Sequence, residues 1–315
     1  MLYRLIPDFG AHTAAINVGG AEANVAVALG NWGLPVMYVS RVPDNSIAES
    51  ALEELRRQGV NTKCVIKGGD RLGFYYLVAG ADLKSNAVVY DRAYSSFSEL
   101  KPGDIPWKEI LHDVEWLHFS AITPALSVQL SQVCEEAVLA ARQMDINVSV
   151  DLNYRPLLWK NRDPLPVMSS LLSHCNVVMG NLWSANKLLG IAIPSVKTEA
   201  DTEYFLAAEQ SARSLQERFP LCRQVAYTFR MGEGEEIRYF GTLYDNGNLF
   251  KSPVHTASRV TDRVGTGDSF MAGLIYGYMK QLPSQECIDF AARCGFNKFF
   301  VEGDFNTTQL NKLIH

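Results

Sequence analysis

Apolar and polar positions along this chain follow two periods, and the chain switches between them again and again. Short apolar runs bounded by Gly, Asp or Asn read as strands, and longer stretches with apolar residues three and four apart read as helices. On that basis Met1–Pro7 is a strand, and Ala21–Leu29 is a helix opening on the Gly19-Gly20 turn. Pro35–Ser40 is a short strand, and Ser46–Gln58 is a helix with Ser46 as its cap and Gly59 as its stop. Three strands then follow closely, Lys63–Ile66, Gly73–Ala79 and Asn86–Arg92. The alternation resumes with strands Trp116–Ser120, Asn147–Leu152, Asn176–Gly180 and Gln224–Phe229, and helices Leu126–Met144 and Thr202–Phe219. Ile237–Tyr244 and Leu249–Ser252 flank Asp245-Asn246-Gly247, a strong hairpin signal. Ser269–Lys280 and Ser284–Phe300 close the pattern as helices.

Strands alternating with helices predict an α/β fold with a doubly wound, mainly parallel sheet flanked by helices. The cluster of strands in the middle predicts a small β-sheet lid beside it, or a meander of the main sheet. The chain is expected to be a single domain over 1–315. The lid sheet is expected at approximately 1–18 and 62–98, and the α/β core at 19–61 and 99–315.

Composition narrows the chemistry. The 315 residues are 47% hydrophobic and 20% charged, as in an ordinary globular protein. A formal net charge of −5 argues against nucleic acid as a partner, and any anionic substrate must be captured by local arginines. The six cysteines show no Cys-x-x-Cys pair and no metal-ligand spacing with His, which reads as reduced thiols in a cytoplasmic protein. No apolar run is long enough to cross a bilayer.

The most informative stretch is Asp262-Arg263-Val264-Gly265-Thr266-Gly267-Asp268, followed by an apolar, small-residue helix. A glycine turn feeding a helix start aims several backbone N–H groups at one point, where the helix dipole adds positive charge and a phosphate fits. Asp268 at the lip of that hole could take a proton from a hydroxyl attacking phosphorus, or could simply cap the helix. Gly19-Gly20-Ala21-Glu22-Ala23-Asn24 is a second glycine-rich helix start, with Asn24 one turn inside, where an amide can both donate to and accept from a polyol hydroxyl. Asp151, Asn153 and Arg155 alternate past a strand end, as a carboxylate-binding fork or as a structural ion pair. Tyr90 and Arg92 share a strand face near Tyr75, either lining a cleft or forming an aromatic face with an arginine lying over it. Asn181 follows a strand and enters a helix, where it could order a metal-bound water or serve as a cap.

Taken together, these residues resemble the ribokinase-like (phosphofructokinase-B) carbohydrate kinases over nearly the whole chain, and most of all their 2-keto-3-deoxygluconate kinase subgroup. The two glycine motifs occur in the family's order and spacing. Tyr90-x-Arg92, Asp151-x-Asn153-Tyr154-Arg155 and Glu302-Gly303-Asp304-Phe305-Asn306 fit the subgroup. The resemblance implies a ribokinase-like fold and transfer from ATP, with Mg2+, to the terminal hydroxyl of a sugar acid. A fructokinase or another sugar kinase of the family, or a sugar-acid binding protein impaired in catalysis, are the alternatives. It implies Asp268 as base beside the amides of Gly265, Thr266 and Gly267. Gly20, Asn24, Tyr75, Tyr90, Arg92 and Arg155 would bind the substrate. Asn181, Thr228 and Arg230 would lie on the nucleotide side with Gly265 and Gly267, and no side-chain metal ligand is assigned. Relatives carry Asn-x-x-Glu where this chain has Asn181-Leu182-Trp183-Ser184, so the acid that helps order magnesium is a serine here. A homodimer through the lid sheet is expected.

Overall fold

The computed structural model describes residues 1–77, 88–196, 201–232 and 236–314, which fall into two compact units. The expected strand ends at Val78-Ala79 and Asn86-Ala87 lie outside the described residues.

The first unit comprises Met1–Leu100, Ala257–Lys280 and Arg293–His315. Its sheet runs, in space, Thr13–Gly19, Leu2–Asp8, Gly73–Leu77, Val88–Asp91. Leu2–Asp8 pairs antiparallel with Thr13–Gly19 and parallel with Gly73–Leu77, and Tyr75 stands opposite Tyr90. The pleat sends Tyr3, Val18 and Phe74 to one face, where they join Val27, Leu52 and Leu55 in a core. Arg4 and Tyr75 share the other face, with Leu77, Val88 and Val264 packed together there.

The expected strand Lys63–Ile66 is displaced and paired elsewhere. The strand observed is Val65–Lys67, and it runs parallel to Ser40–Val42. Gly68 and Gly69 follow at φ 152° and 77°, turning the chain before it reaches the four-stranded sheet. Helix Ser46–Arg57 is capped by Asn45, whose Oδ1 accepts from the Ala48 amide, so Ser46 is the first helical residue and not the cap. Helix Ala21–Asn31 is buried from Ala23 through Leu29. Its small side chains let helix Thr266–Met279 pack close, and Trp32 meets Tyr276 edge-on at 5.9 Å.

The second unit comprises Lys101–Thr256 and Gln281–Ala292. Trp116–Ser120, Asn147–Asp151, Val177–Gly180 and Gln224–Met231 lie side by side, all parallel, and their near-continuous apolar runs reflect burial on both faces. Ile237–Asp245 and Asn248–Lys251 extend the sheet antiparallel, through a turn with Asn246 at φ 49° and Gly247 at 81°. The expected helix Leu126–Met144 is two helices, Ile122–Leu126 and Val128–Gln143. Ser127 breaks them because its extended backbone lets its hydroxyl cap the second at Leu130.

Candidate active site

Helix Thr266–Met279 begins three residues before the expected start at Ser269, and that shift decides the role open to Asp268. The N-cap is Gly265, in the left-handed region at φ 79°, and no side chain caps the helix. Asp268 therefore stands in the first turn and is not the cap. The amides of Thr266, Gly267 and Asp268 are first-turn donors with no partner inside the helix, so this end suits an anion. Only glycine fits at 265, because a Cβ there would run into the Asp304 carbonyl oxygen.

Asp268 is 8% exposed, and its Oδ2 accepts from Asn24 Nδ2 at 2.6 Å. The two glycine motifs, 244 residues apart, thus meet. Asn24 Oδ1 is buried and has no hydrogen-bond partner among the described residues. A buried acceptor left open costs stability unless something donates to it, and a hydroxyl of a bound polyol is such a donor. Gly20, at φ 131°, caps the Asn24 helix, and its carbonyl accepts the Asn24 amide at 2.7 Å.

Beneath the turn lies a buried ionic cluster not expected from the sequence. Arg4, 1% exposed, grips Asp262 with both terminal nitrogens, at 2.6 and 3.2 Å, and its Nε lies 2.9 Å from Asp304 Oδ2. Asp262 Oδ1 accepts from the Val264 amide at 3.0 Å, shaping the approach to Gly265. Burial works against the Asp262 charge, but Arg4 and the Val264 amide hold its carboxyl below the usual carboxylate range. Asp304 is the opposite case: burial pushes it up to about 6, against the pull of Arg4 and the Tyr75 hydroxyl. Burial likewise lowers Lys298 to about 8, against the attraction of Asp262, Asp304 and Asp268. The sequence signal for this cluster is an arginine in the middle of the apolar strand Leu2-Tyr3-Arg4-Leu5-Ile6, which demands a buried partner.

The expected substrate residues of the first unit are only partly open. The Tyr75 hydroxyl donates to Asp304 at 2.7 Å, so that group belongs to the cluster under the turn. Tyr90 lies 6.4 Å from Tyr75 ring to ring, and the Arg92 guanidinium sits 4.3 Å over the Tyr90 ring. That stacking holds a flat, forked donor in place.

In the second unit, Asp151 is the last residue of its strand, and the chain to Arg155 is irregular. The alternation of Asp151, Asn153 and Arg155 thus runs past the strand into residues with no regular element. Asp151 Oδ1 accepts from the Asn153 amide at 3.0 Å, and Arg155 donates to the Tyr154 carbonyl at 3.3 Å. Asn181 caps helix Leu182–Leu189, and Ser184 completes a capping box with it, each side chain accepting from the other's backbone amide. Thr228 and Arg230 lie on strand Gln224–Met231, opposite Gly241 and Tyr239. Among the described residues no group of three or more His, Cys, Asp or Glu could hold a metal ion. A magnesium ion held mainly by phosphate oxygens and water needs no such cage.

The chain matches the pfkB family carbohydrate kinases over residues 10–303. It is 27% identical over 310 residues to a 2-dehydro-3-deoxygalactonokinase of Haloferax volcanii, covering 96% of this chain and 90% of that protein. It is 25% identical to a 2-dehydro-3-deoxygluconokinase of Bacillus subtilis, with 93% and 84% covered. The crystal structure of a 2-dehydro-3-deoxygluconokinase from Thermotoga maritima superposes with a TM-score of 0.91 at 33% identity, covering 99% of this chain and 95% of that one. The turn built around Gly265, the buried carboxylate behind it and a match that spans both units lead to one conclusion: the chain belongs to the pfkB family of carbohydrate kinases, with the ribokinase-like α/β fold.

Proposed function

We propose that this protein transfers the γ-phosphoryl group of ATP to the terminal hydroxyl of a six-carbon 2-keto-3-deoxy sugar acid, with 2-keto-3-deoxygluconate, phosphorylated at O6, as the preferred acceptor. The observation that carries the reading is the Asp268 carboxylate: buried, bonded to Asn24, and set among the first-turn amides of an anion-binding helix end. Asp268 takes the proton as the hydroxyl oxygen bonds to phosphorus, and the bond to the leaving ADP oxygen breaks. The amides of Gly265, Thr266 and Gly267 stabilise the charge spread over the transferring group. Magnesium, when bound with the nucleotide, neutralises charge on its phosphates. Asn24 Oδ1 accepts from a sugar hydroxyl, and Gly20, Tyr75 and Tyr90 shape the polyol pocket with it. The acceptor's carboxylate is assigned to guanidinium groups, Arg92 and Arg155. Asn181, Thr228 and Arg230 are assigned to the nucleotide side. The setting is the cytoplasm, where ATP is available.

A coupled ADP-release screen tests this with 2-keto-3-deoxygluconate, its galactonate epimer, 5-keto-2-deoxygluconate and fructose. The reading predicts that the 2-keto-3-deoxy acids outpace fructose. A neutral hexose used as fast as the acids would remove the arginines from the account. The Haloferax relative makes the galactonate epimer the closest rival acceptor. A second reading is a sugar-acid binding protein impaired in transfer. It is favoured by Ser184, whose hydroxyl is spent in the capping box where relatives carry an acid. Tight acid binding by calorimetry together with no ADP release would select it.

A further inference from the structure

Lys298 is a buried charged group near the turn to which this mechanism gives no role. It follows helix Ser284–Asn297 directly, and it is 0% exposed. Its ammonium donates to the carbonyls of Val301 and Gly303, both at 2.8 Å, so it is spent on backbone and not on a carboxylate. The loop it clamps grips the anion turn at several points. The Phe299 carbonyl accepts from the amides of Thr261 and Asp262, at 2.8 and 3.1 Å. The Gly303 amide donates to Asp262 Oδ2 at 3.2 Å. The Asp304 carbonyl fills the space where a side chain at Gly265 would begin, and Lys298 Cε lies 3.3 Å from that same point. Four charged groups act on the ammonium: Asp262, Asp304 and Asp268 attract it, and Arg4 repels it. Burying an ammonium is unfavourable, and an apolar side chain would fill the same volume without that penalty.

We propose that Lys298 is a positioning residue for phosphoryl transfer: its ammonium locks the 301–304 loop under Gly265 and so aims the amides of Gly265, Thr266 and Gly267 at the transferring group. The assignment rests on the kinase reading of the site. It goes further by naming what holds the amide ring in register.

The test uses the full chain, wild type and the variants Lys298→Ala and Lys298→Met, with kcat and KM measured for ATP and for 2-keto-3-deoxygluconate, and thermal unfolding followed alongside. Misaligning preorganised donors costs turnover more than binding, so both variants should lose about tenfold to a hundredfold in kcat while acceptor KM moves less than about threefold. Methylammonium at about millimolar concentration should restore part of the lost turnover in Lys298→Ala, where there is room for it, and none in Lys298→Met. A merely structural lysine would not show that difference. If Lys298→Ala does not fold, the pH profile takes its place: kcat of the wild type should fall on the alkaline side near the lowered value of about 8, and Lys298→Arg should move that limb upward. Unchanged kcat in Lys298→Met beside an active wild type overturns this assignment alone. So does an alkaline limb that Lys298→Arg leaves in place. A wild type inactive toward every acceptor overturns the kinase reading, and this assignment with it.

Discussion

The 2.6 Å hydrogen bond from Asn24 to Asp268 does two things for one residue pair. It fixes the rotation of the carboxylate, and the other atom of the same amide, Asn24 Oδ1, stays buried without a hydrogen-bond partner among the described residues. Asn24→Ala should therefore lower kcat/KM by about a hundredfold, through both a freer base and a lost substrate contact. Steady-state kinetics beside an unchanged circular dichroism spectrum checks this, and a loss under about threefold would remove Asn24 from the site. Asp304 carries a stability prediction. Its folded value of about 6 lies above the ordinary 3.8, so between these the folded state holds more proton than the unfolded chain. The contribution is fully present below the unfolded value and is lost as pH rises through about 6. Wild-type stability relative to Asp304→Asn, from urea unfolding, should thus decline from about pH 4 to about pH 7 and then level off. A difference that grew with pH would reverse the sign and contradict burial as the dominant effect.

At the scale of elements, the turn into helix Thr266–Met279 depends on Gly265. A Cβ at φ 79° is strained by itself, and here it also meets the Asp304 carbonyl. Gly265→Ala should cost about 2 kcal/mol of stability and more than about tenfold in kcat, because the amide ring must shift to make room. Unfolding midpoints and turnover in the same preparation measure both. This turn was readable from sequence because its chemistry is local: Gly-x-Gly-Asp ahead of a small-residue helix specifies both the bend and the donors. Asn24 was readable for the same reason, one turn inside its own glycine start. The support beneath was not, since Arg4, Asp262, Lys298 and Asp304 come from distant segments and only the fold brings them to one place. Similar logic explains the strand errors. Whether Val65–Lys67 pairs with Gly73–Leu77 or with Ser40–Val42 is a non-local choice that a short apolar run does not encode. Past Asp151 the chain has no regular element, so alternation alone does not fix a common side for Asp151, Asn153 and Arg155.

For the whole molecule, the face of the four-stranded sheet that carries Tyr3 changes character along its length. Leu5 stands opposite both Ile16 and Tyr76, and Tyr76 opposite Val89, a row across all four strands. Ile16 is 63% exposed and Val89 58%. A contiguous apolar row on a sheet is a surface that needs a cover. The expected cover is the same sheet of a second copy, and sedimentation should find a dimer that Val89→Lys dissociates at micromolar concentration. A wild type that stays monomeric at about 100 μM would contradict the dimer. The most direct test of the account as a whole lies at Asp268. With ATP, magnesium and saturating 2-keto-3-deoxygluconate, Asp268→Asn should keep acceptor affinity by calorimetry within about threefold and lose two to four decades of turnover, roughly the range for a general base. Near-full turnover in that variant would contradict the account.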